Sequence, residues 1–162
     1  MFYGQYVVSM TKNDKFLLPA AFRKHLQANR TGKTYSIAVV LGDGCLCAYE
    51  EAAFFATLKE AQEKAKQKSH NKRQYRLLYR TLACADMLDL RTRGYVQLSD
   101  KMLEYLRISQ DRSLTLVGMG DGYFEIWDSV KFSEQSLAYT EALEIILPEM
   151  FLPLLNKQPD GN

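Results

Sequence analysis

Two cysteines separated by one residue are the first candidates for chemistry in this chain of 162 residues. Cys45 and Cys47 would lie on one face of a β-strand, because alternate residues of a strand point to the same side. Two thiols placed in this way could ligate a metal ion if two further ligands approached them. The chain has two histidines, His25 and His70, and neither has ligand-like spacing. We therefore interpret the cysteines as small buried apolar residues and predict neither a metal nor a cofactor.

Three glycines at alternate positions, Gly118, Gly120 and Gly122, follow an apolar stretch and resemble part of a dinucleotide-binding loop. Such a loop requires a helix that begins at its last glycine. The residues that follow, Tyr123–Trp127, are instead typical of a strand. The pattern therefore predicts the turn of a β-hairpin rather than a cofactor site.

Signatures of catalysis are missing from the sequence. It contains no Gly-x-Ser-x-Gly nucleophile elbow, no phosphate-binding P-loop and no His-Glu-x-x-His zinc motif. Acyl transfer, phosphoryl transfer and zinc-dependent proteolysis thus lack their residues. We predict that the chain is not an enzyme.

Basic residues cluster in two segments, although the net charge of the whole chain is only +2. Residues 1–35 carry a net charge of +5 and residues 59–80 carry +6, whereas each of the three remaining stretches carries −3. Locally clustered Lys and Arg favour a polyanion partner, and solvated helix faces are the alternative. Tyr75 and Tyr79 lie among the bases of the second segment. Their four-residue spacing favours a helix that packs its tyrosines inward over a nucleic-acid-binding stripe.

The elements that must position these residues occur twice. Gly42-Asp-Gly recurs as Gly120-Asp-Gly at an offset of 78, and the segment from Phe16 matches the segment from Val96 at an offset of 80. Two half-domains of roughly fifty residues are therefore predicted, and each is too small to close a core without the other. The predicted division is a first repeat at 1–58, connecting basic helices at 59–83, a second repeat at 84–137, and a C-terminal helix and tail at 138–162.

Each copy is predicted to run strand, strand, helix, strand, strand, helix. Pro19 suits the first helical position of one short helix, and Ser99 suits the N-cap of the other. Asp43-Gly44 and Asp121-Gly122 are predicted to form equivalent hairpin turns. The predicted strands are Tyr6–Met10, Lys15–Leu18, Tyr35–Leu41 and Cys45–Tyr49 in the first copy, and Ala85–Leu90, Tyr95–Leu98, Ser113–Gly118 and Tyr123–Trp127 in the second.

Three motifs match the pattern of a known family over about residues 1–137. They are the opening Met1–Tyr6, the segment Leu18–Arg23, and the more specific Val117–Asp128, which ends in Phe-Glu-Ile-Trp-Asp. Together they resemble the MraZ proteins, bacterial transcriptional regulators built from two tandem half-domains of the AbrB/SpoVT type. The resemblance implies an α+β fold in which two pseudo-symmetric swapped hairpins form a β-barrel with flanking helices.

The same resemblance implies a functional turn just before the second strand of each copy, and the turn of the first copy is the one associated with DNA contact. Members of the family carry Asp-x-x-Gly-Arg there, whereas this chain has Thr11–Lys15 and Arg91–Tyr95. Lysine keeps the charge that contacts phosphate but lacks the planar fork that reads guanine bidentately. The predicted DNA-binding residues are Lys12, Asn13, Lys15, Arg91 and Arg93.

The function that the resemblance implies is repression of the division and cell-wall operon that contains the protein's own gene. The partners would be double-stranded DNA, at promoter repeats, and further copies of the chain in a closed ring that presents many weak contacts at once. An apolar tail at Met150–Leu155 also needs a neighbour to cover it. The alternative is a ring-forming structural or interaction protein on the same scaffold, whose altered turns no longer read an operator.

The expected location follows from what the sequence lacks. No apolar run approaches the ~18 residues of a membrane span, and the chain does not open with the pattern of a signal peptide. We therefore expect a cytoplasmic protein with no membrane partner, and the resemblance implies that it is associated with the nucleoid.

Overall fold

A computed structural model describes residues 1–28, 36–67, 71–90, 93–120 and 122–140. Strands and helices are interspersed along these residues, so the predicted α+β class is confirmed. The strands are β1 Gln5–Ser9, β2 Lys15–Leu17, β3 Ser36–Leu41, β4 Leu46–Glu50, β5 Asp86–Asp89, β6 Tyr95–Gln97, β7 Ser113–Gly118 and β8 Tyr123–Asp128. The helices are α1 Ala20–Ala28, α2 Glu51–Lys66, α3 Lys72–Ala83, α4 Asp100–Leu106, and α5, which spans residues 129–140 of the described chain.

Six strands form one antiparallel sheet in the order β1-β7-β8-β4-β3-β5, and β2 pairs with β6 in a separate two-stranded ribbon. Each edge strand of the large sheet pairs with the other half of the chain, since β1 joins β7 and β5 joins β3. The six-stranded sheet is open, with β1 and β5 at its edges. Its pairings alone therefore do not close the expected β-barrel.

An internal twofold relates the two halves. In the sheet, Cys47 pairs with Glu125, the residue 78 positions later; in the ribbon, Phe16 pairs with Val96, the residue 80 positions later. Equivalent residues of two antiparallel strands face each other only where a twofold axis passes between them. A local twofold axis thus passes through each sheet, and that of the large sheet lies between Cys47 and Glu125. It relates the turn at 42–45 to the turn that follows Gly118, of which Asp121 lies outside the described residues.

The six-stranded sheet has a hydrophobic core on each face, because alternate residues of its strands point to opposite sides. The larger core contains residues of the sheet, the ribbon, α1 and α4, and at its centre the rings of Phe2, Phe22 and Phe124 lie 5.0–5.1 Å apart. The smaller core joins α2 and α3 to the other face through Ala38, Val40, Phe54, Ala61 and Leu82. The ribbon is therefore fixed to the sheet through the larger core.

The short helices begin close to where the sequence predicts. Helix α1 begins at Ala20, and the carbonyl oxygen of Pro19 accepts a hydrogen bond from Arg23 N at 3.0 Å. Pro19 is thus one residue before the first helical position, and that prediction was wrong by one residue. Ser99 is the N-cap of α4, as predicted, and its hydroxyl accepts from Met102 N at 3.4 Å.

The two tyrosines of the basic helical segment are both half-buried in α3. Tyr79 packs against the smaller core, and the ring of Tyr75 lies 5.2 Å from the ammonium nitrogen of Lys64. These contacts agree with a helix that turns its tyrosines inward.

The chain divides into two compact units, Met1–Ser129 and Val130–Asn162. The described part of the second unit is helical, and Thr140 Oγ1 donates to the carbonyl oxygen of Ser136 at 2.8 Å within it. The apolar tail at 150–155 lies outside the described residues. Among the helices that the structure describes, none has both the length and the apolar character needed to cross a bilayer.

Candidate nucleic-acid interface

The turn between β1 and β2 is closed by its own backbone. Thr11 N donates to the carbonyl oxygen of Lys15 at 2.7 Å, and Asp14 N donates to the carbonyl oxygen of Thr11 at 3.1 Å. Asp14 has the left-handed backbone of a tight turn, with φ +58°. The predicted residues Lys12 and Asn13 therefore lie exposed at the tip, and Lys15 is half-buried where β2 begins.

Arg112 fixes this turn from the second half of the chain. Its guanidinium Nη2 donates to the carbonyl oxygen of Thr11 at 3.0 Å and forms an ion pair with the carboxylate of Asp14. Within the described residues, neither Lys12 nor Lys15 forms an ion pair. The one acid of the turn is therefore compensated, and its two lysines keep their positive charge for a partner.

The turn between β5 and β6 contains the predicted residue Arg93, which is exposed and has φ +56°, and the buried Gly94, which has φ +83°. The side chain of Arg23 lies against Gly94, and its Nε donates to the carbonyl oxygen of Leu18 at 3.0 Å. The remaining predicted residue, Arg91, lies outside the described residues. A basic group of α1 thus adjoins the second turn, which the sequence did not reveal.

The ribbon connects the two turns. Leu98 N donates to the carbonyl oxygen of Asp14 at 3.1 Å, and Leu18 N donates to that of Gly94 at 3.0 Å. These two bonds are equivalent under the internal twofold. The residue after β6 therefore holds the first turn, and the residue after β2 holds the second turn. Asp14 is level with Leu98 and Gly94 is level with Leu18, so the two turns lie four residues apart along the ribbon, roughly 13 Å at a strand rise of ~3.3 Å per residue.

Four side chains form the outward face of the ribbon. Lys15 lies opposite Gln97 and Leu17 lies opposite Tyr95, while the residues between them are buried in the larger core. Leu17, Tyr95 and Gln97 are exposed. Sequence reasoning did not select these three residues, although the alternation around Phe16 and Val96 was the signal that could have found them.

This face has the groups and the size that a nucleic acid requires. Lysine and arginine at the two turns can contact phosphates, and the amide of Gln97 can bond a base edge. A two-stranded ribbon also fits the major groove of B-DNA, which is about 12 Å wide. The chemistry available on this surface is therefore electrostatic contact with a polyanion, together with the side-chain amides of Asn13 and Gln97, which are able to bond base edges.

A second group of polar side chains lies on the twofold, away from the ribbon. The ligand atoms of Cys45, Cys47 and Glu125 all lie within 4.8 Å of one another. A hydrogen bond between the two thiols and burial raise the pKa of Cys45, and the same hydrogen bond lowers the pKa of Cys47. Of the histidines weighed as further ligands, His25 instead pairs with Glu50 at 3.0 Å, and His70 lies outside the described residues. Glu125 was missed.

No protein-family model and no curated protein sequence matches this chain. The ribbon and its two turns are therefore the basis on which we infer a function.

Proposed function

We propose that the chain is a DNA-binding transcriptional regulator of the MraZ type, which represses the division and cell-wall operon that contains its own gene. The observation that carries the proposal is the pair of basic turns held at the two ends of one exposed ribbon. Lys12, Asn13, Lys15 and Arg93 belong to these turns, and Arg91, which lies outside the described residues, is a candidate from the sequence alone.

The proposed fold is the swapped-hairpin arrangement of the AbrB/SpoVT type. Its support is that β1 pairs with β7 and β5 pairs with β3, so that each half completes the sheet of the other. The ribbon would close the barrel, since β1 contacts β2 and β5 contacts β6 at the two ends. In this arrangement one chain has the symmetry of a dimer, with one basic turn at each end of the ribbon.

Binding at this surface is expected to be strongly dependent on salt. Each lysine or arginine that contacts a phosphate displaces counterions, and the slope of log affinity against log salt steepens by roughly 0.9 for each contact. Few basic groups are offered by one chain, so a closed ring of chains on repeated promoter boxes supplies the affinity by avidity. A regulator of this kind would be associated with the nucleoid.

The test is DNA binding by the variant Lys12→Ala with Lys15→Ala, measured by fluorescence anisotropy on the gene's own upstream region at several salt concentrations. The matched control is Lys59→Ala with Lys66→Ala, which removes the same charge from exposed positions on α2. We expect the turn variant to lose at least tenfold in affinity and to flatten the salt slope by roughly 1.8, the value for two phosphate contacts. The control should bind like the wild type.

Two outcomes would contradict the proposal. If the turn variant assembles normally and binds with unchanged affinity and salt slope, the ribbon is not the reading surface. If the wild type also fails to distinguish its upstream region from scrambled DNA of the same length, the ring-forming structural protein becomes the better description.

A further inference from the structure

The two hairpins of the sheet bring three ligand-bearing side chains to one place. Cys45 is the last residue of the turn at 42–45, and Cys47 is the second residue of β4. Glu125 comes from β8 of the other half. Cys47 and Glu125 are direct partners in the β4–β8 register, so their side chains leave the sheet on the same face. The ligand atoms of all three residues lie within 4.8 Å of one another.

We propose that Cys45, Cys47 and Glu125 bind one zinc ion, with a water molecule as the fourth ligand. Zinc accepts thiolate sulfur at about 2.3 Å and carboxylate oxygen at about 2.0–2.2 Å in a tetrahedron, which places neighbouring ligand atoms about 3.5–3.8 Å apart. The observed cluster reaches this geometry with movements of about 1 Å or less. This site does not depend on the proposed DNA binding, because none of its residues belongs to the ribbon or its turns.

The ligand set favours zinc over other ions. Two thiolates exclude the hard cations calcium and magnesium, which prefer oxygen ligands. Copper(I) is a soft ion that would use the two thiolates and leave the carboxylate aside. A site that contains both sulfur and carboxylate oxygen suits the borderline zinc ion, and Glu125 is therefore the residue that distinguishes the two metals.

Surrounding residues hold the cluster in position. Trp127 Nε1 donates to a carboxylate oxygen of Glu125 at 2.8 Å, which orients the carboxylate as an outer hydrogen bond does in zinc sites. A Cβ at Gly42 would lie 2.8 Å from the sulfur of Cys47 and 2.9 Å from that of Cys45, so glycine leaves the space that the two sulfurs occupy. The hydroxyl of Tyr105 donates to the carbonyl oxygen of Gly42 and secures this turn.

The site is accessible to an ion from solution. Cys45 is buried, but Cys47 and Glu125 are half-buried and reach the surface of the sheet. A bound ion would link the β3–β4 hairpin to β8 across the internal twofold. Its expected effect is to stabilise the contact between the two halves of the chain.

The test uses the full chain in a Cys84→Ser background, which removes the exposed third thiol. Cobalt(II) is added to the reduced protein as a spectroscopic substitute for zinc, and zinc is then added to displace it. We expect one equivalent of cobalt to bind with thiolate charge-transfer and tetrahedral absorption bands, and one equivalent of zinc to remove them and raise Tm. Cys47→Ser should lose the bands, and Glu125→Gln should weaken zinc binding at least tenfold.

The matched control is Glu60→Gln, which removes an exposed carboxylate from α2 and should bind zinc like the parent. Each metal-free variant should have the same circular dichroism spectrum and the same Tm as the metal-free parent, which would establish that it folds. Absence of cobalt bands in the folded parent overturns the proposal. Preferred binding of copper(I), unchanged in Glu125→Gln, also overturns it, because the carboxylate would then have no part in the site.

Discussion

Arg23 lies across Gly94, so close that a Cβ at position 94 would be 2.2 Å from its Cδ. The two residues come from different halves of the chain, and the guanidinium of Arg23 also bonds the carbonyl oxygen of Leu18. Gly94 is buried and has φ +83°, a conformation that favours glycine. The second basic turn is therefore shaped by a helix of the first half.

The first prediction concerns Gly94→Ala. We expect it to lower the free energy of unfolding by about 1–2 kcal/mol through backbone strain and by roughly 1–3 kcal/mol more because Arg23 must move. Gly44→Ala is the control, since Gly44 has φ +75° but its nearest Cβ contact, to Trp127, is 3.5 Å away. Urea denaturation of both variants measures the difference. Equal losses at the two positions would show that the contact with Arg23 is unimportant.

The second prediction concerns the ion pair between Arg112 and Asp14. Arg112→Gln should leave the carboxylate uncompensated beside two lysines and lower DNA affinity on the order of fivefold, equivalent to roughly 1 kcal/mol. Adding Asp14→Asn to the same chain should restore affinity, because the exposed charge is then removed. The control is Arg107→Gln, an exposed arginine with a similar left-handed backbone, φ 51°. Anisotropy titrations at low salt would distinguish the three variants, and a double variant no better than Arg112→Gln would refute the electrostatic explanation.

The third prediction follows from Tyr49. Burial, with the nearby charges of Cys47, Tyr123, Glu125 and Cys45, raises its pKa to about 12. The phenol then ionises in the unfolded chain near pH 10 but stays neutral in the folded chain, so stability is lost as the pH rises between about 10 and 12.

Denaturation of the metal-free chain as a function of pH tests this prediction. The free energy of unfolding of the wild type, relative to Tyr49→Phe, should fall by about 1.4 kcal/mol per pH unit in that window. Tyr3→Phe, at a residue that is 63% exposed, should follow the wild type. If the free energies of unfolding of the wild type and Tyr49→Phe changed in parallel with pH, the phenol of Tyr49 would have the same pKa in the folded and the unfolded chain, and the prediction would be wrong.

The fourth prediction concerns assembly. Val7 is 66% exposed on β1, an edge strand whose outer backbone groups can pair with another chain. We expect the wild type to form a closed oligomer at micromolar concentration and Val7→Lys to have a lower mass in light scattering. Gln62→Lys adds the same charge at an exposed position on α2 and should leave the mass unchanged. A monomeric wild type would rule out the ring.

Local elements were predictable because their signals lie within a few residues. β7 was predicted at its observed bounds, and the N-cap at Ser99 follows from a serine that precedes an apolar helix. The pairing of Asp14 with Arg112 was not predictable, because it depends on the register of β1 with β7. The proximity of Glu125 to Cys47 has the same cause. The contact between Glu125 and Cys47 could be found only by combining the repeat offset of 78 with a twofold axis between β4 and β8.

The pairing of β1 with β7 also constrains how the chain can fold during its synthesis. The first strand emerges from the ribosome early, yet its partner lies more than 100 residues later in the sequence. Until β7 and β8 emerge, β1 has no native neighbour within the sheet, and folding must wait for a contact of long sequence separation. An unfinished chain therefore presents an unpaired strand to every other unfinished chain on the same messenger RNA. Halves exchanged between such chains would form a sheet with the same pairings as the native one.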